Sequence, residues 1–146
     1  MGERNVYALH PRGKILLAPH TPAGLHVQLA AALAAGNSGA IDAASGLRNA
    51  LDDLPASVAA RVSWTTDWEK DGPFSGALVE GDAARVAEAN QRVAALPGPL
   101  VLVQAATSEE LARDPDAYSL NWLLEEVSTS INTVAAGGNA SLMSIS

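Results

Sequence analysis

Lys14-Ile15-Leu16-Leu17-Ala18 is the stretch that most limits what this chain can become. A strand points successive side chains to opposite faces of its sheet, so an alternating strand can leave one face in water, whereas an unbroken apolar run needs both faces covered. The residues that follow supply a covering layer. Thr21 is placed to cap a helix with Pro22 at its first position, and Leu25, Leu29, Ala32 and Leu33 recur at helical spacing until Gly36-Asn37 ends it.

The strand-helix cycle then repeats. Gly39–Asp42 reads as a strand, Ser45 opens a helical stretch with Leu47, Leu51 and Leu54 on one side, and Pro55 restarts a shorter helix. Arg61–Trp64 is a short strand, Thr65–Pro73 has loop composition, and Trp64 and Trp68 read as packing residues. Gly76–Gly81 gives another strand, Asp82 caps a helix bearing Val86, Ala89 and Val93, and Pro97-Gly98-Pro99 ends that helix before a strand over Leu100–Gln104. Upstream, Val6–Leu9 is β-prone, and Pro11-Arg12-Gly13 between it and Lys14 predicts an N-terminal hairpin or sharp reversal. Downstream, Val127, Thr129, Ile131 and Thr133 alternate with Ser128, Ser130 and Asn132, which predicts a last strand over Val127–Thr133.

Strands and helices alternating with short joints imply an α/β fold, Rossmann-like, with a mostly parallel sheet and helices on both faces. The N-terminal hairpin and a C-terminal strand plus glycine-containing tail complete the expected architecture. With no linker or repeat, residues 1–146 are expected to form a single domain, of which 127–146 are the C-terminal strand and interaction tail.

Charge and composition narrow the function. A net charge of −7 leaves no basic patch to neutralise phosphates, which argues against nucleic acid and against an anionic membrane surface as partners. The absence of cysteine removes disulfides, thiolate nucleophiles and sulfur-ligated metals together. His10, His20 and His26 show no metal-ligand spacing with carboxylates, so no metal site is expected. There is no apolar run of membrane-span length and no signal-peptide core behind Glu3 and Arg4, and a cytoplasmic location is the expectation. Asp52-Asp53, Glu109-Glu110 and Glu125-Glu126 suit solvated helix faces better than paired catalytic carboxylates.

A doubly wound sheet invites a nucleotide, yet the chemistry for one is missing. Pro19 and Pro22 withhold amide donors, and neither G-x-G-x-x-G nor G-x-x-x-x-G-K-[ST] occurs. No serine sits in a G-x-S-x-G turn. Gly137-Gly138-Asn139 has the composition of an anion nest, but glycine pairs more often simply permit a tight turn.

The C-terminus poses a different problem. Glu126 is the last ionisable residue, and the final 20 residues are uncharged around Gly137-Gly138. The few large apolar side chains there cannot by themselves offset the cost of ordering the backbone. The small residues Ala135, Ala136, Gly137, Gly138 and Ala140 allow close backbone approach, so the tail is built to be covered by another surface, and an uncovered strand there offers an edge for self-association.

Two stretches carry a family resemblance. Gly2–Pro19 and Ser130–Met143 resemble the C-terminal domain of long-form proline utilization A, a bifunctional proline dehydrogenase and L-glutamate-γ-semialdehyde dehydrogenase family, and the whole chain resembles a degenerate cofactor-binding half of the aldehyde dehydrogenase fold. The resemblance implies that catalytic positions are erased. His20-Thr21 follows Pro19 where aldehyde dehydrogenases carry an asparagine after a Pro-Trp pair. Asp42 stands in place of a ribose-binding lysine, Gly81 is left of a Gly-Ser pair between Glu80 and Asp82, which would repel a pyrophosphate, and Gln104 falls near the general-base glutamate. It also implies an interaction motif at Asn132, Thr133, Ala135, Ala136, Gly137, Gly138, Asn139, Ala140, Ser141, Leu142 and Met143, with Val134 replacing an expected alanine. On this resemblance the chain has no catalytic, cofactor or metal residues of its own. It packs on the dehydrogenase module of the same polypeptide, covers the channelling passage between the two active sites and supports the semialdehyde dehydrogenase site, while FAD and NAD belong to the parent enzyme. The competing reading is a free-standing Rossmann-like nucleotide-binding module or enzyme.

Overall fold

The structure is a computed structural model that describes residues 2–132. Its elements are β1 (Glu3–Pro11), β2 (Lys14–Ala18), α1 (Pro22–Ala34), β3 (Ser38–Asp42), α2 (Ala56–Ala59), β4 (Val62–Thr65), α3 (Trp68–Asp71), β5 (Gly76–Glu80), α4 (Ala83–Ala94), β6 (Val103–Ala106), α5 (Ser108–Arg113) and β7 (Leu124–Asn132). Strands β4-β3-β2-β5-β6 form one parallel sheet in that order, and β1 and β7 form a separate two-stranded sheet. The described residues divide into two compact units, one of residues 11–124 and one of residues 2–10 and 125–132.

The apolar run is the middle of the larger unit. Leu16 lies opposite Ala40 of β3 on one side and Ala77 of β5 on the other. Ile15 and Leu17 pack on one face with Leu25, Leu29 and Ala32 of α1 and Leu111 of α5. Leu16 and Ala18 pack on the opposite face with Trp68 of α3 and Ala89 and Val93 of α4. The expected α/β sheet with helices on both faces is therefore present. Thr21 caps α1 by accepting from the Gly24 amide at 3.0 Å, and Asp82 caps α4 by accepting from the Arg85 amide at 2.9 Å.

The N-terminal hairpin is not. Both edges of β2 are taken by parallel neighbours, so β1 pairs with β7 instead. The Pro11-Arg12-Gly13 turn hands the chain to β3: the Ser38 amide donates to the Gly13 carbonyl at 3.0 Å. The helix expected from Ser45 gives way to two 3₁₀ turns, Ala43–Ser45 and Arg48–Leu51, because Gly46 at φ 70 ends the first of them, while Leu47, Leu51 and Leu54 still pack against the core. The expected loop over Thr65–Pro73 contains α3, capped by Asp67, which brings Trp68 into the core beneath the Arg92 guanidinium, 3.5 Å from the ring centre. The strand expected at Leu100 begins later, since β5 offers its first ladder partner, Ala77, to Val103, and Leu100 is left 87% exposed. The final strand starts three residues before Val127, at Leu124, and Thr133 lies outside the described residues.

In the smaller unit, Ser130 donates to Glu3 across the two strands at 2.9 Å. Tyr7, Leu9, Val127 and Ile131 expose large apolar side chains.

In the larger unit a buried side chain ties that unit's two ends together. Asn37 accepts from the Gly13 amide at 2.8 Å and donates to the Leu123 carbonyl at 2.9 Å. Asn37→Leu strands the Gly13 amide and leaves the Leu123 carbonyl only the longer bond from the Arg12 amide at 3.4 Å, and removing the partner of a buried polar atom costs about 1–3 kcal/mol. The midpoint of urea unfolding should fall accordingly with an unchanged slope. A midpoint within error of the original chain would show that the clamp contributes nothing.

Candidate functional site

Open parallel sheets collect ligands beyond the carboxyl ends of their strands, where the strand order reverses. In this sheet the reversal lies between β2 and β5, because the chain passes from β2 to β3 on one side and reaches β5 on the other. Pro19-His20-Thr21 leaves β2 there, Glu80-Gly81-Asp82 leaves β5, and α1 begins directly behind them.

Glu80 decides the character of this crevice. It is fully buried, and its carboxylate accepts from the His20 amide at 2.7 Å, the Thr21 amide at 2.9 Å and the Thr21 hydroxyl at 2.7 Å. Burial pushes its pKa up, but the His20 amide, the Ser108 hydroxyl and the Thr21 hydroxyl and amide outweigh that effect and hold the carboxyl below its ordinary range. The charged form is therefore the bound form. Gly24, in the first turn of α1, makes the approach possible, since a Cβ there would lie 1.8 Å from Glu80 Oε2.

Arg85 braces the same corner. Its Nε donates to the Glu80 backbone carbonyl at 2.8 Å and its Nη2 to the Pro19 carbonyl at 2.9 Å, joining the ends of β5 and β2. The side chain lies so close over Gly81 that a Cβ there would meet Arg85 Cδ at 2.4 Å. Outside this brace is an open cleft of about 620 Å³ lined by His20, Gly81, Asp82, Arg85, Glu88 and Ser108 among others. Its charged lining is mostly acidic.

The residues singled out by sequence fall in different places. His20 is exposed at the cleft, and its amide serves Glu80. Asp42, at the end of β3, is buried and accepts from the Ala44 amide at 3.2 Å as a turn cap. Gln104 lies on β6 and pairs with Ser119 in both directions, donating at 3.0 Å and accepting at 2.8 Å, so both ends of its amide are committed to holding a loop. Asn132 is the last residue of β7, and the remainder of the interaction motif, Thr133 to Met143, lies outside the described residues. Among the described residues no group of three or more His, Asp or Glu is arranged to hold a metal ion.

Reading the sequence missed what Glu80 binds. It marks Glu80 as a charge hostile to pyrophosphate, but the Thr21 donors lie 59 positions away, and only the fold brings them together. The available signal was a glutamate closing an apolar strand in a chain whose first helix carries a glycine in its opening turn.

The electrostatics fix a pH dependence. A carboxylate whose folded pKa is depressed adds stability above its unfolded pKa, about 4.5, and that stability is lost as the pH falls through the lower folded value. Glu80→Gln retains the shape and removes the charge, so it should cost about 1–2 kcal/mol at pH 7, the difference between hydrogen bonds to charged and neutral groups. The gap between the two proteins should close below about pH 4.5 in urea titrations. A gap independent of pH would show that the charge is not what the donors stabilise.

No protein-family model matches the chain. It is 69% identical over 145 residues to the bifunctional protein PutA of Rhizobium meliloti, covering 99% of this chain and 12% of that protein. To the bifunctional protein PutA of Salmonella typhimurium it is 37% identical over 145 residues, 99% of this chain and 11% of that protein. A crystal structure of a Bradyrhizobium japonicum proline utilization A mutant aligns with 73% of this chain and 13% of its own, at TM-score 0.52 and 25% identity. The chain thus spans about an eighth of the length of the relatives it matches, and it is homologous, along nearly all of its own length, to a segment of about 145 residues of the bifunctional proline utilization protein PutA.

Proposed function

We propose that this chain is a non-catalytic, degenerate aldehyde-dehydrogenase-like module of a bifunctional proline-catabolic polypeptide, covering the passage between its two active sites and supporting the semialdehyde dehydrogenase site. The observation that carries the non-catalytic reading is the Glu80 carboxylate seated on the His20 and Thr21 donors. A dinucleotide on this fold places its pyrophosphate at the first helix N-terminus, and here that place holds a buried negative charge. The residues do not fit the cofactor. On this reading FAD and NAD belong to other parts of the parent polypeptide.

Two further features support a covered module. The relatives match this chain along 99% of its length and extend far beyond it, so a larger body of polypeptide exists in them to receive it. A two-stranded sheet is marginal alone in water, and here Tyr7 and Leu9 are each 65% exposed on such a sheet. The dehydrogenase module is the proposed cover, and the motif from Asn132 to Met143 the proposed anchor.

The test is made on the full polypeptide. Deleting the segment from Asn132 to Ser146 should leave proline oxidation nearly intact, slow the semialdehyde dehydrogenase half-reaction, and lengthen the lag in NADH production when the two are coupled. Unchanged dehydrogenase kinetics together with an unchanged lag would refute the assigned role. For the chain itself, calorimetry with millimolar NAD should show no binding. A dissociation constant below about 100 μM, roughly −5.5 kcal/mol, would return the crevice to a nucleotide-binding reading.

A further inference from the structure

The donors around Glu80 are held in place by groups other than the carboxylate they bind. Thr21 is fixed as the cap of α1 through the Gly24 amide at 3.0 Å. The chain on either side of the crevice is pinned by Arg85, through the Pro19 carbonyl at 2.9 Å and the Glu80 carbonyl at 2.8 Å, neither of which involves the Glu80 side chain. Gly24 leaves room over the first turn for that carboxylate, whose three atoms are the nearest to where a Cβ at Gly24 would stand. A donor set fixed in advance, with a cleared volume and a buried anion seated in it, has the attributes of a ligand site whose ligand is covalently attached.

We infer that the crevice between β2 and β5 is a working anion site with the Glu80 carboxylate as its resident ligand, and that shortening this one side chain converts it into a site for a small external carboxylate. The class of ligand follows from the volume vacated. Removing a side chain of this length opens room for formate or acetate and leaves Gly24 and Thr21 to define the walls. His20, Gly81 and Ser108 line the adjoining open cleft, which provides the path from solvent. Charges of both signs line that path. Arg85 favours an incoming anion, while Asp82, Glu88 and Glu109 disfavour it, so affinity in the millimolar range is expected. The inference goes beyond the channel-covering role and does not depend on it. Failure of the deletion experiment above leaves it standing, and its own failure leaves that role standing.

The experiment is chemical rescue of Glu80→Ala. In sodium chloride the variant should melt well below the original chain. Replacing chloride by sodium formate at equal ionic strength should raise its melting midpoint in a saturable way, with a half-effect at millimolar concentration, and should leave the original chain unmoved. Formamide, which has the shape of formate without its charge, should not substitute. If the variant does not fold in chloride, recovery of folded protein on refolding into formate is the readout, and the same contrast with formamide is expected. Equal formate effects on the variant and the original chain, rescue by formamide as strong as by formate, or no recovery of an unfolded variant in formate would each overturn the inference. Adding Thr21→Val to the variant removes one donor and should abolish the formate effect, whereas persistence of the full effect would place the bound anion elsewhere.

Discussion

Ile15, Leu16 and Leu17 have no exposure to water, and the larger unit is organised around that fact. Each fully buried side chain of this kind contributes roughly 1.5–3 kcal/mol relative to exposure, but only if both sheet faces are sealed. Sealing them requires helices above and below, and helices above and below require crossover connections between parallel strands. The crossovers then force a point where the strand order reverses. The crevice at β2 and β5 is thus a geometric by-product of burying one apolar strand, and it exists whether or not a ligand uses it.

What fills such a crevice separates one function from another on the same architecture. The His20 and Thr21 amides and the Thr21 hydroxyl proton there need acceptors. Glu80 satisfies them from within the chain, and Arg85 ties down the backbone that bears it. Satisfaction from within leaves these donors with an acceptor in the absence of any external ligand.

Much of this was legible in the residues. The double-faced burial of β2, the Thr21 and Asp82 caps and the strands over Gly39–Asp42 and Gly76–Gly81, the second of which ends one residue earlier at Glu80, follow from local patterns, because caps and apolar runs act over a few positions. The failures are non-local. A turn composition at Pro11-Arg12-Gly13 shows that the chain bends but not which edge β1 will reach, and both edges of β2 were already taken. Gly46 divides a stretch whose leucines keep helical spacing, since their spacing serves packing in 3₁₀ turns equally well. At the site, His20, Asp42 and Gln104 stood out in the sequence, whereas their structural work as amide donor, turn cap and loop holder did not. Tyr118 drew no notice in the sequence, yet its hydroxyl accepts from Gln28 and donates to the Val79 carbonyl at 2.9 Å in the core.

The Asn37 clamp has a consequence for how such a unit travels between proteins. Because Gly13 and Leu123 are held by one side chain, and the Arg12 amide also donates to the Leu123 carbonyl at 3.4 Å, the larger unit starts and finishes side by side. A body of that kind behaves topologically as a closed ring with one gap. It can be spliced into a host loop without stretching the host, or reopened at an exposed turn such as Pro97-Gly98-Pro99 with its old ends sealed by a short bridge. The unit is in this sense portable, its ends joined by Asn37 and by the Arg12–Leu123 backbone bond.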